Sequence, residues 1–242
     1  MGFQEPPLVV GHRGAAGLAP ENTLASFQRA VALGVHAVEL DVQIHAGKLW
    51  VIHDATVDRT TNGRGPLVDL SEQQLRELDA GDGQAIPTLD EVLLALPDSV
   101  GVNVELKGAG TAAAVAEAVE GARQEVLVSS FDHRELRDFA DIGVPDIKIA
   151  PLFHKWQEEV WDKAAAFNAW SVNWGVRVAT PARLREARKR GLRVLVYTVN
   201  DLLKARSLIA AGAWGVFTDR PDVITPASLA GRSPGTDRSV DQ

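Results

Sequence analysis

Short apolar runs in this 242-residue chain end on side chains suited to acid, base and metal chemistry. Leu8–Gly11 runs into His12 and Arg13, Ala37–Val42 carries Glu39 and Asp41, Trp50–His53 ends on His53, and Val102–Leu106 carries Glu105 and leads to Lys107. If each run is a strand, residues i and i+2 share a face, so Glu39 points with Asp41 and Glu105 with Lys107. Three carboxylates gathered at one place repel one another unless something positive lies between them. A hard divalent cation, Mg²⁺ or Ca²⁺, meets that need because both prefer carboxylate oxygens. A structural ion network of Glu39 or Glu105 with Arg13 or Lys107 is the other solution. The two cations also suit a phosphate, Arg13 by a bidentate fork and Lys107 as a point charge. His12 and His53 have the side chain for general acid and base work near neutral pH, and are also candidate metal ligands. The His-x-His that a barrel-borne zinc hydrolase tends to carry after its first strand is missing.

Bringing these groups together takes a fold in which strand ends converge. After Leu8–Gly11 comes a helical stretch, Asn22–Leu33, with apolar residues at Leu24, Phe27 and Val31, Asn22 able to cap it and Gly34 closing it. Ala37–Val42 and Trp50–His53, joined through Ala46-Gly47, read as a hairpin. Periodicity is then lost over Asp58–Pro87, apart from a helix at Glu72–Leu78 opened by a Ser71/Gln74 capping box; Thr88/Glu91 opens the next helix, to Leu96. From there strands and helices alternate. The strands are Val102–Leu106, Val126–Ser129, Ile147–Pro151, Ala169–Val172, Arg193–Val199 and Gly215–Thr218. The helices between them are Thr111–Glu120, Asp132 to about Ala140, Trp156–Phe167, Pro181–Arg190 and Leu202–Ala211, and a short one lies near Asp222–Leu229. Eight strands, most followed by a helix, predict a parallel sheet closed as an α/β (β/α)₈ TIM barrel. A doubly wound sheet is the second choice, but Gly11-His12-Arg13-Gly14 is not its GxGxxG phosphate loop. The expected organisation is one barrel domain over residues 8–230, an insertion at about 54–87, and a polar tail at 231–242. In such a barrel the carboxyl ends of the strands form the active-site mouth. Trp174 and Trp214 are expected near that mouth, as candidate walls of an alcohol or glycerol pocket; barrel–helix packing is the commoner job for a tryptophan.

Composition narrows the function classes. Hydrophobic residues make up 45% and charged residues 24%, an ordinary globular balance that excludes a disordered or fibrous chain. The formal net charge is −7 with no polybasic run, so nucleic acid and anionic membranes are poor partners. An anionic substrate therefore needs local cations or a metal. There is no cysteine, which excludes disulfides, thiolate nucleophiles and zinc–thiolate sites and leaves oxygen and imidazole ligands. The first residues lack the basic and apolar regions of a secretion signal, and no apolar run is long enough to span a bilayer. A cytoplasmic enzyme without stable membrane insertion is expected.

A set of motifs in order sharpens these expectations. Gly11-His12-Arg13-Gly14, Pro20-Glu21-Asn22-Thr23, Glu39-Leu40-Asp41-Val42, His53-Asp54, Asp58-Arg59-Thr60-Thr61-Asn62-Gly63, Ile86-Pro87-Thr88-Leu89, Val104-Glu105-Leu106-Lys107 and Phe217-Thr218-Asp219-Arg220-Pro221-Asp222 together resemble the glycerophosphodiester phosphodiesterase family, from about Val9 to Ile224. The resemblance implies a (β/α)₈ barrel with a small insertion after the second strand. It implies hydrolysis of a glycerophosphodiester to glycerol 3-phosphate and an alcohol, a reaction of lipid and glycerol metabolism, with one Mg²⁺ or Ca²⁺. Carried over by position, Glu39, Asp41 and Glu105 are the implied metal ligands, His12 and His53 the general acid/base pair, and Arg13 and Lys107 the phosphate contacts. Three positions depart from the family pattern: His36 stands before the Glu-x-Asp strand where Asp is frequent, the hairpin turn is Ile44-His45-Ala46-Gly47, and Tyr197 precedes Thr198-Val199-Asn200 where Trp is usual. Two other functions stay open at this point. One is a lysophospholipase D-type or phosphatidylinositol-cleaving relative on the same barrel; the other is a catalytically silent barrel that only binds phosphate compounds.

Overall fold

The computed structural model describes residues 2–3 and 6–230; the expected tail at 231–242 lies outside the described residues. Its strands are β1 (Leu8–Gly11), β2 (Ala37–His45), β3 (Lys48–Val51), β4 (Gly101–Leu106), β5 (Val126–Ser130), β6 (Lys148–Phe153), β7 (Ser171–Gly175), β8 (Arg193–Tyr197) and β9 (Gly215–Thr218). Its helices are α1 (Leu24–Ala32), α2 (Glu72–Glu77), α3 (Leu89–Ala95), α4 (Thr111–Val119), α5 (His133–Ile142), α6 (Val160–Ala166), α7 (Pro181–Lys189), α8 (Leu202–Ala211) and α9 (Pro226–Leu229). Eight strands run parallel in the order β1-β9-β8-β7-β6-β5-β4-β2, and β1 also pairs with β2, which closes the barrel. The ninth, β3, folds back antiparallel on the end of β2 through Ala46 and Gly47, both at positive φ (51° and 72°), as a two-residue hairpin turn requires.

The strands alternate between two cores. Outward residues such as Val38, Leu40, Val42, Val102 and Val104 pack under the helices. Inward residues Leu8, Val10, Ala37, Leu127, Ala150, Leu195 and Phe217 fill the amino-terminal half of the barrel, where Phe3 closes the bottom. Gly101 is the residue that admits this plug, since a Cβ there would come within 2.8 Å of the Phe3 ring. The carboxyl-terminal half is lined by polar side chains instead, and it is there that the chemistry sits. Among the described residues no helix is long and apolar enough to cross a membrane.

Between β3 and α3 the chain leaves the barrel and builds a small core of its own from Trp50, Ile52, Val57, Leu67, Leu75, Ala80 and Ile86. Both expected capping boxes are present: the backbone N–H of Ser71 donates to Gln74 Oε1 at 2.8 Å and that of Thr88 to Glu91 Oε2 at 2.8 Å. The start of α1 differs for a clear reason. Thr23, not Asn22, caps α1, because the Asn22 amide is taken up by Asp41. Asp132 caps α5, its Oδ1 accepting from the Arg134 backbone N–H at 2.9 Å, while the buried Glu135 carboxylate accepts from the backbone N–H groups of Gly110 and Ala112 and caps the start of α4.

Candidate active site

Each chemistry-bearing side chain arrives on a strand end or in the loop just beyond it. Parallel pairing sets Asp41 beside Glu105 and Glu39 beside Asn103. Glu39, Asp41 and Glu105 all point inward, and one oxygen of each lies within 4.8 Å of the others. After β1 the backbone turns through Arg13 at φ 50° and returns at Asn22, φ 59°. Glu39 Oε2 holds that loop by accepting from the Arg13 backbone N–H at 2.9 Å, and Asn22 Nδ2 donates to Asp41 Oδ2 at 2.9 Å. The barrel mouth opens on a cavity of about 200 Å³ lined by His12, Arg13, Glu39, His53, Glu105 and Lys107, with Asn103, Asn173, Phe131, Leu152, Tyr197, Thr198 and Phe217.

Electrostatics at this cluster favour a cation. Burial and the neighbouring Asp41 charge push Glu39 up to about 7, outweighing His12 and Arg13. Burial and Asp41 push Glu105 up to about 8 despite Lys107. Burial also works to raise Asp41, but Lys107 and Arg13 outweigh it and keep this carboxylate ionised. The Lys107 ammonium lies 3.3 Å from Asp41 Oδ1 and also contacts Glu105, while Arg13 Nε is 3.1 Å from Asp41 Oδ2. Both cations are thus paired with carboxylates, as the ion-network alternative requires, yet they do not neutralise three acids. Asp41 Oδ1 and Glu105 Oε1 are buried and share the single Lys107 ammonium. Three buried oxygen donors with excess negative charge fit a hard divalent ion. Among the described residues this is the cluster of three acidic or imidazole side chains close enough to hold one.

The two histidines flank the carboxylates, and each has its Nδ1 fixed by an aspartate. His12 Nδ1 lies 2.6 Å from Asp219 Oδ1, and Asn200 Nδ2 donates to the other Asp219 oxygen at 2.7 Å. His53 Nδ1 lies 2.6 Å from Asp54 Oδ1; Arg59 Nε donates to Asp54 Oδ2 at 2.6 Å and pairs with Glu21 through its other nitrogens. This arrangement frees Nε2 of each ring for proton transfer. Burial would lower His12, but Glu39 and the hydrogen bond it donates to Asp219 prevail and its pKa is raised. The hydrogen bond from Arg59 leads the causes that hold Asp54 down at about 2, so it stays an acceptor for His53.

The structure brings His12, Arg13, Glu39, Asp41, His53, Glu105 and Lys107 together, and it separates the two tryptophans from them. Trp174 is fully buried on the outer face of β7, edge-on to Trp156 and Trp161 at 5.9 Å each, under the helices. Trp214 immediately precedes β9 and sits at the opposite end of the barrel, beside Pro6, Pro7 and Arg193. The expectation that they wall the pocket is corrected: Phe131, Tyr197 and Phe217 are the aromatic walls. The remaining histidines lie elsewhere. His36 accepts from Val9 N–H, His45 and His133 bond the carbonyls of Leu70 and Leu152, and His154 is exposed against Phe131. Asp219, Asp54, Glu21, Arg59 and Asn200 received no role from the sequence, and Asn22 was read only as a helix cap. All but Asn200 stand inside the quoted motifs, and their place beside residues already singled out was the available signal.

Comparison with known proteins follows the same lines. The model of the glycerophosphoryl diester phosphodiesterase family matches residues 12–223. A glycerophosphodiester phosphodiesterase of Caldanaerobacter subterraneus subsp. tengcongensis is 36% identical over 90% of this chain and 96% of its own. Among solved structures, an Oleispira antarctica phosphodiesterase in complex with the product sn-glycerol-3-phosphate superposes with a TM-score of 0.87 at 29% identity, covering 93% of this chain and 97% of that one. A Thermotoga maritima glycerophosphodiester phosphodiesterase gives 0.78 at 28% identity over 91% and 98%. With a family model spanning most of its length and a closed barrel that carries the motifs at one mouth, the chain belongs to the glycerophosphoryl diester phosphodiesterase family.

Proposed function

We propose that this chain hydrolyses glycerophosphodiesters to glycerol 3-phosphate and an alcohol, with His12 and His53 as the acid/base pair. The observation that carries the reading is the pairing of two aspartate-anchored imidazoles with a buried carboxylate triad on a single cavity. Glu39, Asp41 and Glu105 would hold one divalent cation, Mg²⁺ or Ca²⁺, which when bound supplies charge neutralisation at the phosphodiester. Arg13 and Lys107, already at the cavity, offset further phosphate charge and orient it. One imidazole takes the proton of the attacking oxygen, from water or from the glycerol 2-hydroxyl. The other returns a proton to the departing alcohol as the P–O bond breaks. Asp219 and Asp54 hold the two rings and their tautomers in register for this exchange. The cavity is closed at its inner end by the barrel core, which keeps bulk water from all but the mouth. In this reading the enzyme is cytoplasmic and acts on small diesters, since a net charge of −7 disfavours docking on an anionic membrane.

The test is a panel of glycerophosphodiesters, assayed with each divalent metal and scored by glycerol 3-phosphate release. Release that requires Mg²⁺ or Ca²⁺ and stops on chelation is expected. Full activity in EDTA rejects the metal assignment, and no release from any member of the panel rejects the substrate class.

A further inference from the structure

A second cavity, of about 340 Å³, opens on the same face of the barrel, between the segments that follow β5 and β6. Phe131 and Leu152 line both this cavity and the catalytic one, so the two are neighbours across a single ring. Lys107 Nζ lies 5.6 Å from the centroid of that ring, and the His154 ring centroid lies 5.6 Å from it. The ammonium of the catalytic cavity and the imidazole of the outer one are therefore no more than twice that distance apart. The Phe131 ring itself is 39% exposed and forms the rim between them.

The outer cavity has an apolar floor of Phe131, Leu152 and Phe153, and its fixed charges are Asp132, Arg134 and Lys163. Asp132 is committed to α5, where its Oδ1 accepts from the backbone N–H groups of Arg134 and Glu135 at the positive end of the helix. The two cations are not neutralised in this way. Lys163 Nζ donates to the uncharged Gln157 Oε1 at 2.6 Å, and among the described residues neither Lys163 nor Arg134 forms an ion pair. His133 adds no charge near neutral pH, because burial, with Lys163 beside it, holds its pKa below the ordinary imidazole value. Asp138, Glu158, Glu159 and Asp162 belong to the same two segments but do not line the cavity. In a chain of net charge −7 this is a local excess of positive charge. The catalytic cavity holds about 200 Å³ and is closed below by the barrel core, so a diester seated in it sends one of its two alcohols out through the mouth. Resting on the phosphodiesterase reading above, we infer that the outer cavity seats that departing alcohol, and that Arg134 and Lys163 select diesters whose alcohol carries an anionic group of its own, a second phosphate. The same two charges repel an alcohol that carries a cation, so selection works by attraction and by exclusion.

The experiment compares three diesters on the cation-loaded protein, scored by loss of the diester: sn-glycero-3-phosphoglycerol, the same compound with a phosphate on the far hydroxyl of its alcohol, and sn-glycero-3-phosphocholine. Wild-type protein at low salt is expected to show kcat/KM about tenfold higher for the phosphorylated diester than for its parent, on the scale of two solvent-facing charge pairs. The choline diester is expected to be the slowest of the three. Arg134→Gln and Lys163→Gln are each expected to cut the ratio of phosphorylated to parent diester about threefold, and high salt to bring it toward one. A merely structural role would slow both diesters alike and leave the ratio standing. Equal wild-type kcat/KM for phosphorylated and parent diesters, a choline diester that is the fastest, or a ratio that neither variant moves overturns the inference. Cleavage of all three at one rate rejects the outer site and keeps the reaction. If none is cleaved the reaction reading fails, and the ratio of dissociation constants for the phosphorylated and parent diesters, measured by calorimetry, judges the outer site by the same criteria.

Discussion

Removing divalent cations is expected to make the fold lose stability as pH rises from about 5 to about 8, and adding them back is expected to restore it. The cause is the carboxylate cluster. Glu39 and Glu105, pushed up to about 7 and about 8 from 4.5, hold protons in the folded chain that they have already lost in the unfolded one. A folded pKa above the unfolded value contributes stability that is complete below about 4.5 and disappears as pH rises through the folded pKa. His12, also raised, adds in the same direction. Asp41 is lowered, so its contribution is established above the ordinary carboxylate range and does not change in this window. The two glutamates share Asp41 and interact, so one extra proton held by the pair is the conservative count. One proton over about three pH units is worth about 4 kcal/mol. For a chain of this length that is a fall in Tm of about 10 °C. The assay is a thermal melt in EDTA and in saturating Mg²⁺ or Ca²⁺ at both ends of the range. The cation is expected to raise Tm at the upper end and to do little at the lower, where protons compete for the same oxygens. Calorimetric titration near neutral pH in buffers of different ionisation heat should show about one proton released per cation bound. An EDTA-treated protein that melts at one temperature throughout, or equal stabilisation by the cation at both ends, refutes the reasoning.

Other expectations follow from the same geometry. His12→Ala and His53→Ala are each expected to lower turnover by at least about 10², the scale of an acid/base residue; near wild-type turnover in either variant rejects its role. Asp219→Asn and Asp54→Asn keep shape but remove the charge facing each Nδ1, and are expected to lower kcat about tenfold or more with a displaced pH profile. If the profile stays in place, the aspartates only pack. Trp174→Ala should lower stability by about 3–5 kcal/mol, the usual loss for a buried tryptophan, while kcat/KM of the folded enzyme holds. A drop in kcat/KM without a drop in Tm would return Trp174 to the pocket.

Much of the site was legible because the strand period of two does the positioning. Glu39 and Asp41 share a face with Glu105 and Lys107 in the structure as in the sequence, and Val38, Leu40 and Val42 occupy the other face. That alternation also explains the tryptophans. At the mouth the polar residues point inward and the apolar ones outward, the reverse of an ordinary barrel core. The same parity along Ser171-Val172-Asn173-Trp174 sends Asn173 into the cavity and Trp174 under the helices. Trp214 precedes the first residue of β9 and is therefore at the amino-terminal end, opposite the chemistry. What no local pattern carries is a contact made by closure. His12 and Asp219 lie 207 residues apart. They meet because β9 pairs with β1 in a register that sets Thr218 beside Gly11, and one further step along each strand places carboxylate and imidazole together. The orientation of one catalytic candidate thus depends on the last barrel strand finding the first. A shift of one residue in that register would turn Asp219 to the other face and leave His12 unheld, even with every motif residue present.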